Sequence, residues 1–257
     1  MHPRPLSIIA AIATIGALAG GQTLPRPAFE VASIKPSQPG AQRGMIRPLA
    51  GGQTYIAANV PVRLMIELMY KVTDSQISGG PAWLNTDRFD IEARAEHPSN
   101  VDELHTMFQT LLAERFGLRF HTEMRELPLF ALVVDKGGPK MKLSESEQAF
   151  EIPLKPMGRG KVAGERVPMN YLAWFLAQAL DRPVVDKTGL DRFYDFQLEW
   201  TQEPPKGFVA PPGEGREIPE GPDLFGALRQ ELGLKLESQK GSVPVMVIDH
   251  IEKPSKN

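Results

Sequence analysis

The chain of 257 residues contains no cysteine. That excludes a disulfide framework, a thiolate metal site, a cysteine nucleophile and a lipoprotein anchor. Net charge is also small, at −2. No global field draws such a protein to a phosphate backbone or an anionic membrane, so nucleic acid is not an expected partner. Aromatic residues make up only 7%. Long apolar runs are scarce: only Leu6 to Leu18 stands out, about 13 residues against the roughly 20 that span a bilayer. No transmembrane segment is expected in the mature chain. The sequence also lacks HExxH, GxSxG, SxxK and a glycine-rich phosphate loop, the common signatures of zinc, serine and nucleotide chemistry. No catalytic residue, metal or cofactor is assigned from sequence, and no motif marks an enzyme.

What is present begins with a leader. His2 and Arg4 precede the apolar run, and Ala17-Leu18-Ala19 follows it with small residues flanking a larger one. That order is the pattern of a secretory signal peptide over residues 1–19, with cleavage near Ala19. The mature protein is therefore expected to be exported, to the periplasm or beyond. Its 42% hydrophobic content suits a packed globular core.

The remainder repeats itself. VPVRLMIELMYKV, from Val60, and VPMNYLAWFLAQAL, from Val167, both read as amphipathic helices with an opening proline. Each leads to a short strand and turn, QISGGPAWL (76–84) and RPVVDKTGL (182–190), and then to a strand with an aromatic–Asp start, Phe89-Asp90 and Tyr194-Asp195. Further on, Gly117 matches Gly233 and Pro128 matches Pro244 at the same offset. Each glycine should stop a helix in the left-handed conformation, and each proline should mark the turn of a β-hairpin. The strings Ala28-Phe29-Glu30-Val31 and Ala149-Phe150-Glu151-Ile152 suggest a common start. The expectation is an α+β fold built by internal duplication of a strand–helix–strand–strand–helix–hairpin unit. The first repeat spans 28–143 and the second 149–257, interrupted by a Pro/Gly-rich, disordered-like loop at 203–222. Expected core residues are Leu64, Leu68, Leu111, Leu112, Leu172, Phe175, Leu228 and Leu232.

Candidate functional groups are few. Asp186-Lys187-Thr188-Gly189 resembles the phosphorylated loop of P-type ion pumps, but Asp followed by Thr-Gly is also ordinary turn chemistry. His97, His105, His121 and His250 show no metal-ligand spacing. Trp83 in GGPAWL either stacks on a ligand or folds over the sheet edge. Because loops carry function more often than strands do, a partner-binding role falls on Trp83 or on the group Arg182, Asp186 and Lys187.

GGPAWL…FDIEARA, LLAERFGLRFH…RELPLFALVVDKGGPKMK, RPVVDKTGL…YDFQLEW and LGLKLES…VPVMVIDHIEKPS together resemble an uncharacterised family of exported, soil-associated bacterial proteins, a domain of unknown function. The resemblance implies a signal sequence but no catalytic residue. The V-P helix followed by strand, turn and strand is similar to the short N-terminal domains of secretins and TonB-dependent receptors, α+β modules that bind envelope proteins. This points to a non-catalytic extracytoplasmic binding module of the envelope, its partner an envelope protein or extracellular ligand. The alternative is an extracytoplasmic hydrolase with an unfamiliar carboxylate site.

Overall fold

In a computed structural model of the chain, residues 26–38, 44–145, 152–201 and 221–254 are described. The leader and most of the 203–222 loop lie outside the described residues. The described residues form an α+β fold with three four-stranded sheets. Among the described residues no helix is long and apolar enough to cross a membrane.

One outer sheet contains β1 (Val31–Pro36), β2 (Met45–Pro48), β3 (Thr54–Pro61) and β5 (Arg88–Arg94), in the order β1-β5-β3-β2. Helix α1 (Val62–Tyr70) follows β3 directly, and the short strand β4 (Ile77–Gly79) and helical turn α2 (Trp83–Thr86) precede β5. Helix α3 (Val101–Arg115) follows β5 and leads to the long β6 (Arg119–Val134).

The same succession then recurs. The other outer sheet is ordered β7-β11-β9-β8, built from β7 (Lys142–Leu143), β8 (Leu154–Gly158), β9 (Lys161–Pro168) and β11 (Phe193–Glu199). Helix α4 (Met169–Leu180) and strand β10 (Val184–Asp186) lie between β9 and β11. A short α5 (Leu224–Ala227) continues as a π-helical turn, Leu228–Leu232, into the long β12 (Leu234–His250). Strand order in the two outer sheets is therefore equivalent, with β7 in the place of β1.

The aromatic–Asp pattern has a local cause. In each outer sheet two residues oppose one: Ala58 and Asn59 face Asp90, and Glu165 and Arg166 face Asp195. Such a bulge bends the strand. Its second residue is left-handed in both cases, Asn59 at φ 56° and Arg166 at φ 52°. The strained residue's N–H donates to the opposing carboxylate, Asn59 to Asp90 and Arg166 to Asp195, each at 2.7 Å. The aromatic neighbours Phe89 and Tyr194 are buried, so the pair serves packing and bulge at once. Beyond the bulge, Pro61 and Pro168 hold extended backbone at the helix N-cap.

The central sheet is ordered β10-β6-β12-β4. Here the structure departs from the expected hairpins. Pro128 and Pro244 do not turn the chain. They lie inside β6 and β12, which continue through them and pair antiparallel with each other along nearly their whole length. Glu126 faces Ser242, and the offset that matches Gly117 to Gly233 also matches these two residues, so a pseudo-twofold axis passes between them. The edge strands cross over: β4 pairs with the end of β12, and β10 with the end of β6.

Two hydrophobic cores result. The first unites Met65, Ile66, Phe89, Leu104, Phe108 and Leu112 with Met246, Ile248 and Ile251 from the chain's end. The second unites Leu172, Leu176, Tyr194, Leu198, Leu228 and Leu232 with Leu132 of β6. Leu111, Leu112, Leu172, Leu228 and Leu232 are buried as expected, whereas Leu64, Leu68 and Phe175 are only partly buried against the cores. In α1 the buried face is Val62, Met65, Ile66 and Met69. Arg63 and Glu67, one turn apart, mark its polar stripe, and Leu64 and Leu68 lie beside that stripe rather than at the centre of the buried face. The boundary placed at residue 143 also shifts: Lys142–Leu143 pairs with β11, in the second outer sheet. The matching start strings do not correspond either. Ile34-Lys35-Pro36 lies in β1 and Leu154-Lys155-Pro156 in β8, strands at opposite edges of equivalent sheets, and residues 149–151 lie outside the described residues.

Candidate functional site

The two halves meet at a cleft of about 580 Å³, within the roughly 300–1,000 Å³ of small-ligand sites. One wall comes from the first half. Asn100 caps α3 by accepting from the Glu103 N–H at 2.9 Å, and the Glu103 carboxylate accepts from the Asn100 N–H at 3.0 Å. This reciprocal box fixes Asp102 and Thr106 on the cleft side of the first turns. Lys71, the left-handed C-cap of α1 (φ 54°), reaches across to Asp102 at 2.7 Å. Pro27 closes this wall, its carbonyl accepting from the buried Thr110 hydroxyl at 2.8 Å.

The opposite wall comes from the second half. The β9 bulge directs Glu165 and Arg166 to the cleft, and Lys155 on β8 reaches Glu165 at 3.2 Å. The Arg166 guanidinium lies 4.2 Å over the ring of the exposed Phe193. Pro153, Pro168 and Tyr171, the last on the first turn of α4, supply apolar surface. Tyr171 is 8% exposed. The Lys71 ammonium lies 5.8 Å from its ring centroid. Burial, and then the Asp102 charge, push the Tyr171 phenol upward from its usual range.

A buried polar pair stands on the inner face of α3. The Tyr55 hydroxyl and His105 Nε2 are 3.1 Å apart, and His105 Nδ1 has no hydrogen-bond partner among the described residues. Burial first, then the nearby Lys71 charge, push His105 down to about 4, with Asp102 opposing. A neutral imidazole is the form this interior holds.

The residues singled out by sequence lie elsewhere. Trp83 is half-buried over the first core, edge-on to Phe89 at 6.4 Å, with Lys253 at 5.9 Å from its ring. It covers the sheet. Arg182 lies 4.3 Å over Phe130 and donates to the Ser238 hydroxyl at 3.1 Å. Asp186 accepts from the Thr188 N–H at 2.9 Å and the Thr188 hydroxyl at 2.7 Å, a turn bonded to itself. The Lys187 N–H donates to Leu132, and its side chain is exposed. Trp83 follows β4 and the Arg182 group flanks β10, strands at opposite edges of the central sheet, so the two strings do not form one site. His121 contacts Asp249 at 2.8 Å and Glu123 at 3.3 Å on an exposed face. The cleft residues Lys71, Asp102, Glu165, Arg166 and Tyr171 carry no local motif.

Residues 63–251 match the family described as "Protein of unknown function (DUF3738)". No curated protein and no solved structure matches the chain.

Proposed function

The chain belongs to that family of unknown function, so its role has to be read from its own surface, and we propose that it is a non-catalytic binding module acting outside the cytoplasm, with its ligand seated in the cleft between the two halves. The observation that carries this reading is the cleft itself, about 580 Å³, with one wall from each half. Export rests on the leader pattern of residues 1–19. Trp83, Arg182 and Asp186 are engaged within the fold, whereas Lys187 is exposed.

The rival reading is a hydrolase using carboxylates of the cleft, and it draws support from the convergence there of Asp102, Glu103 and Glu165. Hydrolysis by paired carboxylates needs one group as acid and another as base or nucleophile. Each of these three is held by a partner of its own half: Lys71, the α3 cap and Lys155. That arrangement suits recognition better than proton exchange.

Ligand-observed NMR with a fragment collection tests the proposal. The wild-type protein should bind several fragments, and Asn170→Trp, which fills the cleft from its exposed rim, should lose them while melting at the same temperature. Undiminished binding to the filled variant would place recognition elsewhere, with Lys187 the next position to substitute.

A further inference from the structure

The cleft's chemistry narrows its ligand, on the premise that it is the binding site. Six charged side chains line it, three of each sign: Lys71 with Asp102 and the capping Glu103 from the first half, and Lys155 with Glu165 and Arg166 from the second. Both ion pairs are exposed, and such pairs contribute little on their own, so either can open toward a ligand. The pairs balance. A ligand of one net sign would satisfy one member of a pair and leave the other uncompensated. A ligand with a cation at one end and an anion at the other can engage both walls.

Between the pairs the surface is apolar, formed by Pro153, Pro168, Phe193 and the Tyr171 ring. Asn100, Thr106, Asn170 and the Tyr171 hydroxyl bring polar atoms beside it. Tyr171 is 8% exposed and lines the cleft, yet no described residue hydrogen-bonds its hydroxyl. That hydroxyl is open to the cleft rather than sealed in the interior, so a ligand carbonyl or N–H can meet it there.

We infer that the cleft binds a short peptide with free termini, its α-amino and α-carboxylate groups entering the two charge pairs and a backbone amide meeting the Tyr171 hydroxyl. The apolar surface takes an aliphatic side chain between them. The peptide's own zwitterion supplies the opposite charges that a neutral cleft demands, and its size suits the volume.

The test uses the tripeptide alanyl-leucyl-alanine, its N-acetylated and C-amidated counterpart, and indole as an uncharged fragment. Each is followed by amide chemical shifts of the full mature chain and by calorimetry. The free tripeptide should shift amides around Lys71, Glu165 and Tyr171. Blocking both termini should weaken it about tenfold or more, since hydrogen bonds to charged groups contribute about 1.5–3 kcal/mol. Tyr171→Phe should weaken it about 2–10-fold with an unchanged melting temperature. The double variant Lys155→Gln/Glu165→Gln, on exposed side chains, should lose much of the preference for free termini. Equal affinity for free and blocked peptides would overturn the inference. So would indole shifting the cleft amides when neither peptide does, an outcome that leaves the cleft as a binding site for another chemistry. Silence of the cleft amides toward all three probes would sink both the peptide and the cleft.

Discussion

Asp90 and Asp195 show how one side chain type can hold a backbone conformation that others resist. Asn59 and Arg166 pay a steric cost of roughly 1–2 kcal/mol for left-handed φ, and each N–H is held by the carboxylate across the bulge. Asp195 is half-buried and Asp90 exposed, so water replaces the lost acceptor less well at Asp195. Asp195→Ala should destabilise by about 1.5–3 kcal/mol and Asp90→Ala by less, as read from urea midpoints; equal small losses would mean that the bulge holds itself. Two titrating side chains make a second residue-scale prediction. Burial, and then the Asp74 charge, raise Glu67 to about 7 from its ordinary 4.5, with Arg63 opposing. The folded chain thus holds that proton more tightly than the unfolded one. Its contribution is full below pH 4.5 and is lost as pH rises toward 7. Because Glu67 is only partly buried, the amount is about 1 kcal/mol after screening. His105 acts oppositely. Its folded value near 4 lies below its ordinary 6.5, so its contribution is full above pH 6.5 and about 3 kcal/mol is lost as pH falls toward 4. Glu67→Gln should therefore gain stability relative to wild type between pH 4.5 and 7. His105→Gln, though weaker overall, should no longer lose stability from pH 6.5 to 4. Urea titrations at three pH values decide this, and an acid loss unchanged in His105→Gln would assign it to other groups.

At the scale of elements, the glycines that close the second helical segment of each half were legible because their chemistry is local. Gly117 (φ 61°) and Gly233 (φ 66°) both take the expected left-handed conformation. Their surroundings differ. A Cβ on Gly117 would sit 3.4 Å from the side chains of Glu252 and His250, but on Gly233 it would collide with the Gly138 carbonyl oxygen. Gly117→Ala should cost about 1–2 kcal/mol from φ alone. Gly233→Ala should cost clearly more, because backbone must move and the bonds of Asp135 to Gly233 and of Lys140 to Leu232 are put at risk; thermal melts of the two variants test the order. The short strands β4 and β10 were legible for the same local reason. The long strands were not. A proline between two apolar runs reads as a turn, since it removes a ladder donor, and nothing nearby in sequence says that β6 and β12 continue through Pro128 and Pro244 to pair with each other. In α1 the polar stripe of Arg63 and Glu67 was legible, but Leu64 and Leu68 beside it are apolar as well and could be read as core. The cleft was hidden for a different reason: its walls join residues near 71 and 102 to residues near 155, 165 and 171, and only the packing of one half on the other brings them together. Trp83 and the DKTG string stood out as strings, yet one covers a core and the other bonds to itself.

For the whole molecule, the consequence of the paired long strands is that neither half owns its core. The first core takes Met246, Ile248 and Ile251 from the end of the chain, and the second takes Leu132 from β6. At about 1.5–3 kcal/mol for each large apolar side chain buried, the three C-terminal residues contribute about 4–9 kcal/mol to the first core. That rivals the roughly 5–15 kcal/mol by which a domain is stable at all. A fragment of residues 26–145 also leaves β6 without β12 along its length. It could pair with a second copy of itself about the same axis, but Glu126 would then face Glu126 where it now faces Ser242, and like charges directly opposed destabilise a strand pair. Residues 26–145 and 152–257, expressed apart, should each lack cooperative unfolding and disperse poorly in NMR spectra. Mixed or co-expressed, they should associate one to one and recover a sigmoidal transition and the cleft with it, since the cleft needs a wall from each. A monomeric 26–145 fragment that unfolds cooperatively would show that the first core closes without the exchanged strand, and the two halves would then be separate domains joined by a ladder.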